Sequence, residues 1–314
     1  MIKQDFLWVE KYRPSKISDC VLPKGLKDTF QKFVDDKNVP NLLLSGGAGI
    51  GKTTVARAML DELDADSIII NGSMNGNIDT LRHDIRNFAG TVSFTQGRKY
   101  VILDEADYLN PNSTQPALRN FMEEFSNNCG FILTCNFKNR IISPLHSRCS
   151  VVDFKITGKE KAKLAGTFLE RACWVLDQEG ITYDKKVVAE VLMKYFPDWR
   201  RVLNELQRYG STGNIDSGIL AHVSDVDITG LVDALRNKDF KTMRKWVGSN
   251  SEQDVNVLFR KLYDSAHDFL EQGSIPQIVL ILADYQYKSA FVVDQEINLA
   301  ACFTQIMVDC EFTK

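Results

Sequence analysis

A chain of 314 residues, 44% hydrophobic and 25% charged, has room for two or three domains and the composition of an ordinary globular protein, not of a disordered or fibrous one. The net charge of −3 supplies no overall basic field, so any nucleic-acid contact must come from local patches. The seven cysteines, Cys20, Cys129, Cys135, Cys149, Cys173, Cys302 and Cys310, form no C-x-x-C pair; this excludes zinc-ribbon and secreted disulfide scaffolds and predicts reduced core thiols.

The opening stretch from Met1 to Pro14 has no signal-peptide core, and no apolar run is long enough to span a bilayer. A cytoplasmic protein with no membrane partner is expected. Asn41-Leu42-Leu43-Leu44-Ser45 reads as a buried strand, followed by a glycine-rich turn and a helix from Lys52 to Leu63. Ser67 to Ile70 is a second strand, Ile78 to Phe88 a helix, Lys99 to Leu103 a third strand and Phe131 to Thr134 a fourth. Apolar strands alternating with helices predict a parallel sheet covered on both faces. Pro116 lies between the third and fourth strands, so the helix there is expected to start near Ser113, where a missing N–H costs little, and to end near Phe125.

From Asp153 to Gly158 onward the pattern predicts helices only. Lys159 to Glu179 carries Leu164, Phe168, Ala172 and Val175 on one face and stops at Gly180. Asp184 and Asp198 are N-cap candidates for two more helices, the first ended by Pro197. After a polar stretch through Ser224 and Asp225, three or four helices run to the C-terminus. Val255, Leu258, Leu262, Ala266 and Phe269 form one stripe, while Ile278 to Ala283 is apolar nearly all round, which predicts burial in a bundle or an interface. The expected division is an α/β domain over 1–155, a small helical domain over 156–223 and a helical C-terminal domain over 224–314.

Gly46-Gly47-Ala48-Gly49-Ile50-Gly51-Lys52-Thr53 matches G-x-x-x-x-G-K-T between a predicted strand and a predicted helix, the setting of a P-loop. Glycines let backbone N–H groups curl around phosphates, and the helix N-terminus adds positive potential. Gly49, Ile50, Gly51 and Thr54 then belong to the cradle, Lys52 reaches the β- and γ-phosphates, and the Thr53 hydroxyl ligates magnesium. The expected ligands are ATP and Mg2+. The third strand ends in Asp104-Glu105, beside the place where ligands of open α/β sheets bind. Asp104 is expected to hold magnesium through water and Glu105 to activate the attacking water. Asn136, closing the fourth strand, either meets the γ-phosphate or the water, or stabilises the following turn. Arg200, in Phe196-Pro197-Asp198-Trp199-Arg200-Arg201, opens a helix where a cation opposes the dipole. A phosphate partner explains it better than helix stability does; Arg201 is the competing candidate, and a plain surface arginine is the alternative. Arg148 is, from spacing alone, an arginine in a polar loop.

Glu10-Lys11-Tyr12-Arg13-Pro14, the P-loop, Asp104-Glu105, Gln115-x-x-Leu118-Arg119, Met122-Glu123, Asn136 and Ser147-Arg148-Cys149 together resemble, in order and spacing, the AAA+ ATPase subunits of sliding-clamp loaders. The resemblance covers roughly the first 210 residues, and Asp19 to Pro23 and Phe196 to Arg200 are nearer the T-even bacteriophage large-subunit pattern than the cellular one. It implies an AAA+ P-loop domain, a helical lid and an all-α collar. It further implies that Val9, Glu10, Lys11, Tyr12, Arg13 and Val21 serve the nucleotide site, that Asn136 and Arg200 are sensors 1 and 2, and that Arg148 is an arginine finger acting on the neighbouring subunit. Helices near Asn77–Arg86 and Asn112–Arg119 would track primer–template DNA. Arg82 and Arg86, one turn apart on one face, either reach phosphates or form a solvated face with Asp79 and Asp84. The loop Asn75-Gly76-Asn77 has no basic residue where relatives often place one, and the P-loop has glycines where cellular subunits carry prolines.

The implied activity is ATP hydrolysis, stimulated by DNA and clamp, that opens a sliding clamp and loads it on primed DNA. The implied partners are identical subunits, a distinct small clamp-loader subunit, the clamp and primer–template DNA, in the host cytoplasm if phage-encoded. Competing readings are another AAA+ remodeller, such as a helicase loader or Holliday-junction motor, and a nucleotide-binding scaffold subunit without turnover. Intact Lys52, Asp104, Glu105, Asn136 and Arg200 speak against the scaffold.

Overall fold

Three consecutive leucines between Asn41 and Ser45 can be satisfied only where both faces of a strand are covered, and that is where they lie. The computed structural model describes residues 6–74, 78–91, 97–211, 213–216, 218, 228–250 and 255–313. The Asn75–Asn77 loop and the stretch through Ser224 and Asp225 fall outside them. Strands β1 (Leu42–Ser45), β2 (Ser67–Asn71), β3 (Lys99–Asp104), β4 (Cys129–Cys135) and β5 (Ser150–Asp153) form one sheet in the order β2-β3-β4-β1-β5, all neighbours parallel. Strand alternation sends Leu43, Val101, Leu103, Phe131 and Leu133 to one face, where they pack with Leu81 and Ile85 of α4 (Ile78–Ala89) and Leu118 and Phe121 of α5 (Thr114–Glu124). Leu42, Leu44, Ile102 and Ile132 point the other way, onto Phe30 of α2 (Lys24–Asp35) and Val55 and Met59 of α3 (Lys52–Glu62). Each fully buried leucine of β1 contributes about 1.5–3 kcal/mol, so the strand that launches the P-loop is among the most firmly held.

Four of the strands are those expected, each within two residues, and α5 starts after Ser113 as the position of Pro116 requires. The fifth, just before the stretch expected to be helical, was not expected. β5 is an edge strand with β1 as its partner, and its Ser150 and Val151 are exposed, so it lacks the two-sided apolar run that marks a central strand. The short helix α1 (Trp8–Lys11) and the helix α2 were likewise not expected.

The lid follows as α7 (Gly158–Gln178), α8 (Lys185–Tyr195) and α9 (Trp199–Gly210). Leu164, Phe168, Ala172 and Val175 are buried as the stripe requires. Asp184 accepts from Lys186 N–H, and Asp198 accepts from Arg201 N–H at 3.0 Å, so both are N-caps. A two-stranded parallel pair, Thr182–Tyr183 with Asn214–Ile215, interrupts the helices and corrects the expectation of helices only beyond Gly158.

The chain forms two compact units, Met1–His222 and Val223–Lys314. The described part of the second is helical: α10 (Thr229–Arg236), α11 (Phe240–Asn250), α12 (Val255–Phe269), α13 (Ile275–Ser289) and α14 (Gln295–Asp309), the last capped by Asp294. Leu235, Met243, Leu258, Leu262, Ile278, Phe303 and Ile306 form its core. The helix apolar nearly all round buries Ile278, Ile281 and Leu282 within this unit, while Val279 is 37% and Leu280 66% exposed. No helix of the described residues is long and apolar enough to cross a membrane.

Candidate active site

The P-loop runs from the end of β1 into α3, and its shape depends on left-handed glycines at Gly49 (φ 68°) and Gly51 (φ 97°). A side chain at Gly49 would overlap the Asp198 carboxylate, and Trp199 N–H donates to Gly49 O at 3.1 Å. The lid therefore rests directly on the phosphate loop. Lys52 is buried at 8% exposure, and its Nζ donates to Gly46 O at 2.8 Å, Gly47 O at 2.6 Å and Asn136 Oδ1 at 2.9 Å. Burial pulls its ammonium below the ordinary lysine range, with Asp104 and Asp107 opposing that pull and nearby Arg200 adding to it. Main-chain carbonyls and an amide are partners that phosphate oxygens can replace without leaving the cation unpaired.

The hydroxyls of Thr53 and Thr134 both donate to Asp104 Oδ1, each at 2.6 Å. Thr134 Oγ1 also accepts from Glu105 N–H at 3.1 Å. One buried hydroxyl on β4 thus fixes two successive carboxylate residues, the last of β3 and the one after it. Glu105 has a left-handed backbone (φ 56°, ψ 45°), uncommon for a non-glycine residue and costly by about 1–3 kcal/mol. The strain turns the chain sharply at the strand's carboxyl end, where ligands of such sheets bind. A hydroxyl and a carboxylate oxygen 2.6 Å apart are hard donors suited to a magnesium ion that keeps several of its waters.

Asn136 is held by its backbone. Asp107, 5% exposed, accepts from Asn136 N–H at 3.2 Å and Phe137 N–H at 3.1 Å through Oδ2. Of the two candidates, Arg200 lines the pocket at the P-loop, while Arg201 stands over the Tyr195 ring at 4.6 Å. The same pocket is walled by Val9, Tyr12, Arg13 and Val21, with Gly49, Gly51, Lys52, Thr53 and Thr54 along its floor. Arg13 donates to Thr54 Oγ1 at 3.2 Å and pairs with Glu10. Three expected residues have their side chains engaged elsewhere. Glu10 serves Arg13, Lys11 reaches Glu179 at 2.7 Å, and Ile50 is buried in the core behind the loop. Cys20, in the pocket wall, is pushed up to about 12 by burial and stays a neutral packing thiol.

Arg148 is not part of this pocket. It follows α6 (Ser143–His146), pairs with Glu123 of α5, and donates to Pro144 O at 3.0 Å. Its guanidinium holds the Glu123 carboxyl below the usual range. Arg86 lies 3.8 Å from Glu124 and over the Phe121 ring, and Arg82 is exposed on the same helix. Sequence reasoning missed Thr134, Asp107, Arg171, Trp174 and Glu179. Asp107 carried a signal, a charged residue in the first turn after a strand-end carboxylate pair; Thr134 was hidden in an apolar strand.

Residues 42–156 match the ATPase family associated with various cellular activities (AAA), and residues 160–221 match the AAA+ ATPase lid domain of the sliding-clamp-loader large subunit. The sliding-clamp-loader large subunit of Enterobacteria phage T4 is 33% identical over 99% of this chain and 98% of its own length. That of Escherichia phage RB69 is 34% identical over 97% and 96%. The replication factor C small subunit of Thermofilum pendens is 29% identical over 96% of each chain. Among solved structures, the Thermotoga maritima RuvB Holliday junction branch migration motor superposes with a TM-score of 0.52 at 16% identity, covering 80% of this chain and 85% of that one, which is a likeness of fold. With the lid seated on the P-loop, and with phage relatives matching it from end to end, the chain belongs to the sliding-clamp-loader large subunits, a family of AAA+ ATPases.

Proposed function

We propose that this ATPase powers an assembly that opens a sliding clamp and loads it onto primer–template DNA, working in the host-cell cytoplasm with identical subunits and a distinct small subunit. One observation carries the reading. Lys52, Thr53, Asp104, Asn136 and Arg200 gather around one pocket while Arg148 is held outside it by Glu123. A nucleotide site whose candidate finger, Arg148, stands outside it suits completion by a second copy. Three functional parts follow: ATPase domain 1–155, lid 156–223 and collar 224–314. The exposed apolar side chains of the last part, including Leu280, Phe291, Val293 and Ile297, suit a subunit interface.

Within the site, Lys52 exchanges its loop carbonyls for β- and γ-phosphate oxygens, and Arg200 approaches the same phosphates from the lid. Thr53 and Asp104 would hold magnesium, which would supply positive charge against the transferred phosphoryl group. Glu105 takes a proton from the attacking water as Asn136 aligns it. Arg148 of one subunit offsets the same charge in the next. Arg82 and Arg86 supply phosphate contacts to DNA. ATPase activity of the assembled complex, with and without primer–template DNA and clamp, tests the proposal: both are expected to stimulate turnover, and no stimulation by either would overturn it.

A further inference from the structure

Part of the pocket wall is a short N-terminal strap, residues 6–13, and most of its polar anchors lie on the lid. Glu179, the C-cap of α7, accepts from Tyr12 Oη at 2.5 Å and from Lys11 Nζ at 2.7 Å through the same oxygen. Arg171, about two helix turns upstream, donates to Tyr12 O at 3.1 Å. The Tyr12 ring meets Trp174 edge to face at 5.5 Å, and Arg171 lies over the same indole at 4.3 Å. Trp8 N–H donates to Gln207 Oε1 at 2.9 Å, and Gln207 returns a bond to Phe6 O at 2.8 Å. Toward the sheet domain the strap is tied through Arg13, at Thr54.

Tyr12 and Val9 line the pocket with their backs fastened to α7 and α9. We propose that Glu179 is a positioning residue for the base of the nucleotide: by holding Tyr12 and Lys11 it sets the strap against the purine, and touches no ligand itself. The inference rests on the reading of this pocket as an ATP site, with the strap at its base end and Lys52 at its phosphate end. A carboxylate accepting two bonds at once orients a terminal segment more firmly than either bond alone, since one oxygen fixes both neighbours. The lone N-terminal segment would otherwise lose conformational freedom at each binding event, and the tether supplies that order beforehand.

The test compares two probes on the full-length chain by calorimetry, Mg-ATP and Mg-tripolyphosphate, which has the phosphates and no base. Glu179→Ala is expected to weaken ATP about fivefold, the effect of one net hydrogen bond, and to leave tripolyphosphate unmoved. Retained tripolyphosphate binding also reports that the variant is folded. Tyr12→Phe is expected to weaken ATP similarly, and the double variant to be no worse than Glu179→Ala by more than about twofold, because both remove one link. Glu179→Ala binding ATP like wild type overturns the assignment, as does an equal loss for both probes, which would move the effect to the phosphate end. Wild-type chain binding both probes equally would instead sink the base reading of the pocket itself.

Discussion

Replacing Gly49 by alanine tests whether the lid and the phosphate loop are a single mechanical unit. Two costs can be read from the geometry. At φ 68° an alanine adopts the left-handed conformation, a penalty of about 1–2 kcal/mol. The new methyl also overlaps Oδ1 and Cγ of Asp198 and stands 3.1 Å from Oδ2, so the carboxylate must leave the position from which it caps α9. Loss of that cap costs about 1 kcal/mol more. Gly49→Ala is therefore expected to lower the unfolding free energy of the first unit by about 2–3 kcal/mol. Asp198→Ala alone should cost about 1 kcal/mol, and nothing further in the Gly49→Ala background, where the cap is already displaced. Urea unfolding followed by tryptophan fluorescence measures this in a Trp246→Phe background, leaving Trp8, Trp174 and Trp199 as reporters of the first unit alone. Costs that add within about 0.3 kcal/mol would refute the reasoning, because independent residues do not share a cap.

Glu105→Gln is expected to keep ATP affinity and lose turnover, measured as single-turnover hydrolysis against equilibrium binding; normal steady-state rates would remove Glu105 from its role. Thr134→Val deletes the hydroxyl shared by Asp104 and Glu105 N–H, and kcat should fall about tenfold, the equivalent of about 1.4 kcal/mol, with ATP binding preserved. Arg148→Ala should retain nucleotide affinity yet lose most hydrolysis, on the order of 10³-fold or more. Mixed with Glu105→Gln subunits it should regain activity at junctions where an intact P-loop faces an intact Arg148, and co-assembled mixtures no more active than the separate variants would end the trans reading. Arg82→Ala with Arg86→Ala should flatten the salt dependence of DNA binding by up to about two phosphate contacts, and an unchanged slope would return both to a solvated face.

Central elements were legible because their physics is local. Leu42 to Leu44 and Val101 to Leu103 are covered on both faces and read as such, and the P-loop needs its glycines, lysine and threonine in sequence. Edge and long-range features were not. β5 is held by backbone pairing to β1 through residues that are half exposed, so nothing in Ser150–Asp153 announces a strand. The Tyr12–Glu179 bond joins positions 167 apart, and neither residue type suggests the other. Arg200 and Arg201 were indistinguishable by spacing, since adjacent residues on a helix differ only in the direction they face. The outcome depended on where α9 meets the P-loop, and Tyr195 takes the second arginine.

The edge strand has one more implication. Arg148 stands two residues before β5, whose four residues pair in step with those of β1, Leu42 with Ser150 through Ser45 with Asp153. β1 then passes straight into the phosphate loop. A strand under tension hardly stretches, and its hydrogen bonds keep it from sliding past its neighbour. A pull on Arg148 at one end of this ribbon is thus delivered, one strand over, to the loop around Lys52 at the other. If Arg148 is gripped by a second subunit, as proposed above, the state of that subunit's site would reach this one's phosphate loop along two strands of backbone.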